Sequence, residues 1–326
     1  GLNMPTVTQE FKATVVQADG RIVCVGFMNN AGQSDLLVTR FLDNGTLDPS
    51  YGTGGIVRTD VNNIESYWAV ALQADGRIVA AGLTVVNDED RMIVGRLNTD
   101  GTMDTGFGTG GFAQIDLGTP SDRAWAIDIQ ADGKLVLAGV SYPGTNDYDL
   151  ALVRLTASGT LDNSFAGNGW TTLDLGTDCT AQDVLVQEDG KIVVAGWSNA
   201  SGSYAGLLAR YTSTGVLDAS FGGDGMIEFQ ANPGSSDDDF YRVAERPDHK
   251  LIAMGTSYEP EGDLMLVQFN EDGTLDPGFG TNGSRVYPDV NSRTDATLSG
   301  YLRPDGKIIL GGLAALSTVD RQVQLF

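Results

Sequence analysis

No run of about 18 apolar residues occurs in this chain, so it holds no candidate membrane-spanning helix. Basic side chains are scarce: 20 Lys and Arg face 43 Asp and Glu, for a formal net charge of -23. Phosphate-rich partners are bound by clustered Lys and Arg, which argues against nucleic acid and against an anionic membrane surface. The single histidine, His249, falls in a hairpin turn, and this excludes a Ser-His-Asp or His-ligated metal site of the usual kind. Only two cysteines are present, Cys24 and Cys179, in repeats expected opposite each other in a ring, so two free thiols that pack as small apolar groups are expected. No segment carries the 3.6-residue apolar spacing of a helix over ten positions, so the many glycines belong to turns and not to a phosphate loop opening a helix. Residues Gly1 to Pro5 carry neither a basic n-region nor an apolar h-region, and any leader is expected outside this sequence.

What is abundant is repetition. Gln17-Ala18-Asp19-Gly20-Arg21-Ile22-Val23 returns at Gln73 to Val79, Gln130 to Val136 and Gln187 to Val193, and more loosely at Arg246 to Ile252 and Arg303 to Ile309. The second turn residue falls at Gly20, Gly76, Gly133, Gly190, His249 and Gly306, a period of about 57 that means a solenoid or a propeller. Length alone would suit two domains, but the repeat favours one array over 1–326, with copies near 11–61, 67–118, 124–175, 181–231, 240–290, and 297–326 together with 1–8. Within the third copy, Ala124 to Ile129, Lys134 to Val140, Asp149 to Leu155 and Trp170 to Leu175 read as four antiparallel strands. The Asp-Gly pair between the first two predicts a hairpin of primed type. Strands two and three are apolar on both faces, as in Ile192 to Gly196 and Leu207 to Tyr211, which suits sheets sandwiched between sheets, as propeller blades are.

A second phrase joins strands three and four: Gly45-Thr46-Leu47-Asp48 with Tyr51-Gly52, repeated at Gly101 to Gly108, Gly159 to Phe165, Gly215 to Gly222 and Gly273 to Gly280. Its Leu or Met and its aromatic read as plugs anchoring the loop, and its Asp as an acceptor for local backbone N–H groups. Calcium is the alternative, but the oxygen-bearing residues before the Gly are not kept from copy to copy, so no metal and no cofactor are assigned.

Together the two phrases resemble the delta-sixty repeat family, bacterial β-propeller repeats of unknown function, over nearly the whole chain. The resemblance implies a secreted, periplasmic or cell-surface bacterial protein and carries no catalytic residues to transfer. Copy five departs from it at Pro247-Asp248-His249-Lys250, and copy six stops before the second phrase. The expected fold is therefore an all-β, six-bladed propeller of four-stranded antiparallel blades, monomeric, closed by pairing of Leu2 to Thr8 with Gln322 to Phe326.

Antiparallel order places the two repeated phrases at one end and the variable loops at the other, where ligand contacts concentrate on a rigid scaffold. Candidates there are Trp68, Trp125 and Tyr241 at one register near the start of the innermost strands, and Asp88, Glu89, Asp90, Tyr142, Asp147, Tyr148, Tyr204, Tyr258 and Glu259 in the loops. Carboxylates beside aromatics suit sugars, basic peptides or a cation, whereas acidic loops also serve solubility and aromatics also pack between blades. Asp128, Asp183 and Arg242 lie within inner strands and line a wet channel or hydrogen-bond locally. The expected function is a non-catalytic binding or scaffold module for a protein or glycan. The alternative is a polysaccharide hydrolase or lyase using carboxylates at the channel mouth, since paired acids alone can cleave glycosides.

Overall fold

A computed structural model describes residues 8–30, 33–62, 64–144, 147–232, 237–258, 262–287, 295–315 and 321–325. Every element is a strand, and no helix occurs among these residues. The strands run in order as β1 (Thr8–Val16), β2 (Ile22–Asn30), β3 (Gln33–Phe41) and β4 (Ile56–Thr59); β5 (Glu65–Leu72), β6 (Ile78–Val86), β7 (Glu89–Leu97) and β8 (Phe112–Ile115); β9 (Ser121–Ile129), β10 (Leu135–Tyr142), β11 (Asp149–Leu155) and β12 (Trp170–Leu173). They continue as β13 (Cys179–Val186), β14 (Ile192–Ser198), β15 (Ala205–Tyr211) and β16 (Met226–Phe229); β17 (Asp238–Glu245), β18 (Leu251–Tyr258), β19 (Gly262–Phe269) and β20 (Ser284–Tyr287); and β21 (Asp295–Leu302), β22 (Ile308–Ala315) and β23 (Arg321–Leu325). Each of the first five groups is a four-stranded meander in sequence order, and the last has three strands. The second and third are linked into one eight-stranded sheet by a single parallel bridge, Asp90 to Ser121.

The chain divides into two compact units, 1–146 with 151–172, and 147–150 with 173–326. Inside each, neighbouring sheets share a core. Val23, Val25, Leu36 and Val38 meet Ile78, Ala80 and Ile93 in the first unit, and Val193, Ala195 and Leu208 meet Phe240, Ala253 and Met265 in the second. The two-faced apolar strands β14 and β15 are thus buried on both sides, as their composition predicts.

The first hairpin differs from the primed type expected of Asp-Gly. Gln17 N–H donates to Arg21 O, Gly20 N–H donates to Gln17 O, and Gly20 alone takes positive φ, at 84°. This is a three-residue loop ending in a left-handed glycine, in which Asp19 stays right-handed and accepts Arg21 N–H. His249 takes the same position at φ 61°. A primed pair does occur between β6 and β7, at Asn87 and Asp88, which places Asp88 in a turn.

Every first strand carries a bulge, between Phe11 and Ala13, Tyr67 and Ala69, Ala124 and Ala126, Ala181 and Asp183, Phe240 and Arg242, and Thr297 and Ser299. The extra residue re-aims its own side chain, and in the first five strands these residues are in order Lys12, Trp68, Trp125, Gln182 and Tyr241. Opposite the first five bulges the second strand always places a glycine: Gly26, Gly82, Gly139, Gly196 or Gly255. A Cβ at Gly196 would lie 1.9 Å from the carbonyl oxygen of Thr180, and the other four would meet the equivalent oxygen at 1.8 to 1.9 Å. No side chain fits there.

The Gly-Thr-Leu-Asp loop is held more firmly than a turn device requires. Asp48, Asp104, Asp162 and Asp218 each use Oδ1 to accept the backbone N–H two residues on, and Oδ2 to pair with the Nε of a buried arginine eight residues earlier, Arg40, Arg96, Arg154 or Arg210. That guanidinium lies over the buried aromatic of the same loop, Tyr51, Phe107, Phe165 or Phe221, at 4.3 to 4.7 Å. It also reaches the neighbouring sheet: Arg40 donates to Thr99 O, Arg96 to Ala157 O and Arg210 to Glu271 O. In copy five Gln268 replaces the arginine and Lys250 supplies the charge for Asp276. The aromatics are plugs, as expected. The accompanying Leu or Met is half-buried in the first four copies, with Met103 and Leu161 packed against the core, and exposed at Leu275, 38%.

Thr8 belongs to β1, opposite Asn29, and does not form part of a closing strand. Residues 2–7 and Phe326 lie outside the described residues, while β23 pairs with β22 as a third strand. Both cysteines are free thiols. Cys179 is buried and donates to Leu173 O, and burial pushes its thiol up to about 11.

Candidate functional site

In the first unit the bulged residues of three successive first strands meet. Trp68 and Trp125 stack with centroids 6.4 Å apart and planes at 27°, and Lys12 Nζ sits 4.9 Å from the Trp68 ring. Lys12 also pairs with Glu10 at 2.5 Å. Because the partners of these rings are one another, this row reads as packing between sheets.

Several expected ligand residues are engaged in the framework. Asp90 accepts Ser121 Oγ and pairs with Arg123 at 2.6 Å across the bridge that joins two sheets. Glu89 pairs with Arg91 at 2.5 Å. Asp183 accepts Val243 N–H at 2.9 Å and faces Arg242 at 3.6 Å, so these two charges serve each other between adjacent first strands. Asp128 Oδ1 accepts the N–H of Ile129. Tyr142 is half-buried at the end of β10. Glu259 lies outside the described residues.

A separate buried acid sits at the start of β5. Glu65 accepts Asn62 N–H and lies with Asp35 and Asp60 in a group whose carboxylate oxygens fall within 4.8 Å, where Arg58 pairs with Asp35. Burial pushes Glu65 up to about 7, and the charges of Asp60 and Asp35 add to it. For an acid raised in the folded state, the cost is absent below its unfolded value and complete above its folded one. Glu65→Gln should therefore gain up to about 3 kcal/mol over the wild type at pH 8.5 and nothing at pH 4. Urea unfolding at the two pH values reads this difference, and an equal gain at both would refute the assignment.

Other expected residues do come together, in the second unit. Trp197 near the end of β14, Tyr204 before β15, Asp237 and Asp239 at the start of β17, and Tyr258 at the end of β18 line a cleft of about 340 Å³. This is the variable end, where strand two turns into strand three. Trp197 and Tyr204 form an edge-to-face corner, centroids 4.9 Å apart and planes at 82°. Asp237 fixes the walls: its Oδ1 accepts Tyr204 N–H, its carbonyl accepts Tyr258 N–H, and Asp238 N–H donates to Tyr204 O. The same stitch recurs one repeat earlier, where Asp178 accepts the N–H groups of Tyr148 and Asn199, and Cys179 N–H donates to Tyr148 O. Tyr241, the bulged residue of β17, donates its hydroxyl to Asp239 at 3.2 Å and approaches the Tyr258 hydroxyl at 3.5 Å. Burial pushes Asp239 up to about 6, the Tyr241 hydroxyl opposes this, and Asp237 and Asp238 reinforce it.

The cleft offers two apolar ring faces, phenolic hydroxyls and a carboxyl that burial pushes up to about 6, the mixture of apolar wall and few polar groups typical of a small-ligand site. Tyr204, Tyr241 and Tyr258 were legible as candidates. Trp197 was not, because it lies inside an apolar strand, and Asp237 and Asp239 sit in a run of acids that carries no spacing signal. A second cleft of about 360 Å³, lined by Gln187, Glu188, Asp189, Lys191, Arg210, Glu245, His249 and Glu271, lies at the opposite, repetitive end. There Arg210, Lys191, Gln187 and His249 are already paired with Asp218, Asp189 and Glu245.

A family profile described as a domain of unknown function (DUF5122) beta-propeller matches residues 17–51, 73–107, 130–165, 187–221 and 246–279, together more than half of the chain. No curated protein matches the sequence. Among solved structures, similar folds include a protein of unknown function from Dyadobacter fermentans DSM 18053, at 10% identity over 98% of each chain and TM-score 0.47. A glucose dehydrogenase is similar at 13% identity over 94% of this chain and 96% of its own, TM-score 0.50, and the polysaccharide lyase Uly1 at 12% over 96% and 76%, TM-score 0.50. Identities this low speak to the fold alone.

Proposed function

Taking as premise that this chain belongs to the DUF5122 β-propeller family, we propose that it is a non-catalytic binding module that takes a glycan at the variable end, in the cleft between Trp197 and Tyr258. The observation that carries this reading is the Trp197–Tyr204 corner beside Asp239 and the Tyr241–Tyr258 hydroxyl pair. Sugar rings present C–H faces that lie on aromatic rings, and hydroxyls that donate to a carboxylate. The net charge of -23 favours neutral or amino sugars over acidic ones. A protein surface is the other ligand class that such a corner suits.

The reading includes six blades closed into a monomeric ring, in a secreted, periplasmic or cell-surface bacterial setting. Closure removes sheet edges. Deleting residues 1–7 should then lower the unfolding midpoint by several degrees, and an unchanged midpoint would count against it.

A glycan array probed with the purified chain, followed by a reducing-end assay on whatever it retains, separates binding from turnover. Retention without release is the expected result. Release of reducing ends would instead favour a hydrolase or lyase working through Asp237 and Asp239, the reading that the fold likeness to a polysaccharide lyase would accompany. If the ionised Asp239 accepts from the ligand, affinity should fall about tenfold as pH drops from 7 to 5 across its value of about 6. In Asp239→Asn the affinity should be lower and independent of pH; titration at the two pH values measures both.

A further inference from the structure

The second unit holds a group of three carboxylates. Asp147, Asp149 and Asp174 each bring a carboxylate oxygen within 4.8 Å of the others. Asp149 is 8% exposed, and its Oδ1 is buried without a hydrogen-bond partner. Asp174 Oδ1 accepts Gly176 N–H at 2.7 Å, and no Lys or Arg pairs with Asp149 or Asp174 among the described residues. An orphaned buried carboxylate oxygen is costly unless something satisfies it.

The repeat itself indicates what that is. Counting from the loop arginine and loop aspartate of each copy, the positions of Asp147, Asp149 and Asp174 are held in copy two by Glu89, Arg91 and Asp116. There Arg91 is the built-in cation: it lies 2.5 Å from Glu89 and 3.1 Å from Asp116, bridging the two outer acids. In copy one Asp35 and Asp60 hold the equivalent inner pair, and Arg58 pairs with Asp35. Copy three has Asp149 where copy two has Arg91, and Thr172 where copy one has Arg58. It keeps the acids without either arginine.

We infer that Asp147, Asp149 and Asp174 hold a divalent cation, calcium, which takes the place of the arginine that neutralises the equivalent acids in the first two copies. The ligand set is hard oxygen only, the chemistry that selects calcium over softer metals. Cys179 nearby donates its thiol to Leu173 O, so it adds no soft ligand. The cation would tie the start of β11 to the loop between β12 and β13, and this is independent of what the cleft binds.

The test is calorimetric titration of chelator-treated protein with calcium chloride, together with thermal unfolding in calcium and in EDTA. One calcium per chain at a Kd on the order of 10⁻⁴ M is expected, with a midpoint that rises in calcium. Asp149→Asn should weaken binding at least tenfold. Asp149→Arg, which rebuilds the copy-two arrangement, should abolish binding and make the midpoint insensitive to EDTA while the chain stays folded. If Asp149→Asn fails to fold, Asp174→Asn decides by the same tenfold criterion. Absence of heat and of any midpoint shift in the wild type at about 10 mM calcium, a hundredfold above the expected Kd, overturns the inference, as does binding that both Asn variants leave unchanged.

Discussion

Gly196→Ala should destabilise the chain by about 3–5 kcal/mol, enough to unfold a large share of a domain of ordinary stability. The cause is local and geometric. The bulge at Gln182 turns the Thr180 carbonyl toward β14, and the added methyl would sit 1.9 Å from that oxygen and 2.9 Å from its carbon. Backbone on both sides is held by sheet pairing, so neither partner can retreat cheaply. The control is Gly167→Ala, in a left-handed conformation at φ 85° but with nothing within 4 Å of the new atom. It should cost only about 1–2 kcal/mol, the price of the backbone conformation. Chemical denaturation of both variants tests the ordering, and a Gly196→Ala protein as stable as the Gly167→Ala one would remove the bulge from the account.

Asp218→Ala is expected to cost about 3–5 kcal/mol, because it strands the buried Arg210 guanidinium. Arg210 would keep its stack on Phe221 and its bonds to Ser220 and Glu271 O, but lose the carboxylate that its Nε pairs with at 2.8 Å. Arg210→Met with Asp218→Ala removes both charges and should cost less than the two single changes added together, which a double-mutant cycle measures. The same pairing has a pH signature. Burial pushes Asp218 up, but the hydroxyl and N–H of Ser220 and the Arg210 charge pull it below the usual carboxylate range. Lys250, the Gly278 N–H and Gln268 bring Asp276 down to about 2. A lowered acid stabilises the fold above its unfolded value, near 4, and that contribution is lost as pH falls through its folded value. Acid unfolding should therefore begin below pH 4, and the Asp218→Ala chain should show a shallower loss between pH 4 and 2 than the wild type.

How the fold was legible follows from where each signal lies. Strands and hairpins were written in contiguous phrases such as Gln187 to Val193, which period and composition expose directly. The bulges were not, because an extra residue in β13 is visible only against its partner's register, although Gly26, Gly82, Gly139, Gly196 and Gly255 recur at a fixed place after the turn. The Arg–Asp lock was written at a constant eight-residue spacing in four copies. It is not legible there because a single Arg in an apolar strand carries no signal until the loop aspartate folds back on it, and Gln268 breaks the pattern in copy five. The site was half legible. Tyr204, Tyr241 and Tyr258 stood out as aromatics in variable loops, whereas Trp197 and Asp239 become site residues only when two sheets are set side by side. The inner-strand charges Asp183 and Arg242 stand out in apolar strands, and they face each other at 3.6 Å.

Titration of a soluble oligosaccharide, selected from the array, against the wild type and Trp197→Ala is the most direct measurement of the central claim. Trp197 is half-buried at the cleft wall, away from the Arg–Asp lock, so its loss should leave the fold standing while affinity drops at least thirtyfold, about 2 kcal/mol. Equal affinity in a folded Trp197→Ala protein would contradict the assignment of this cleft.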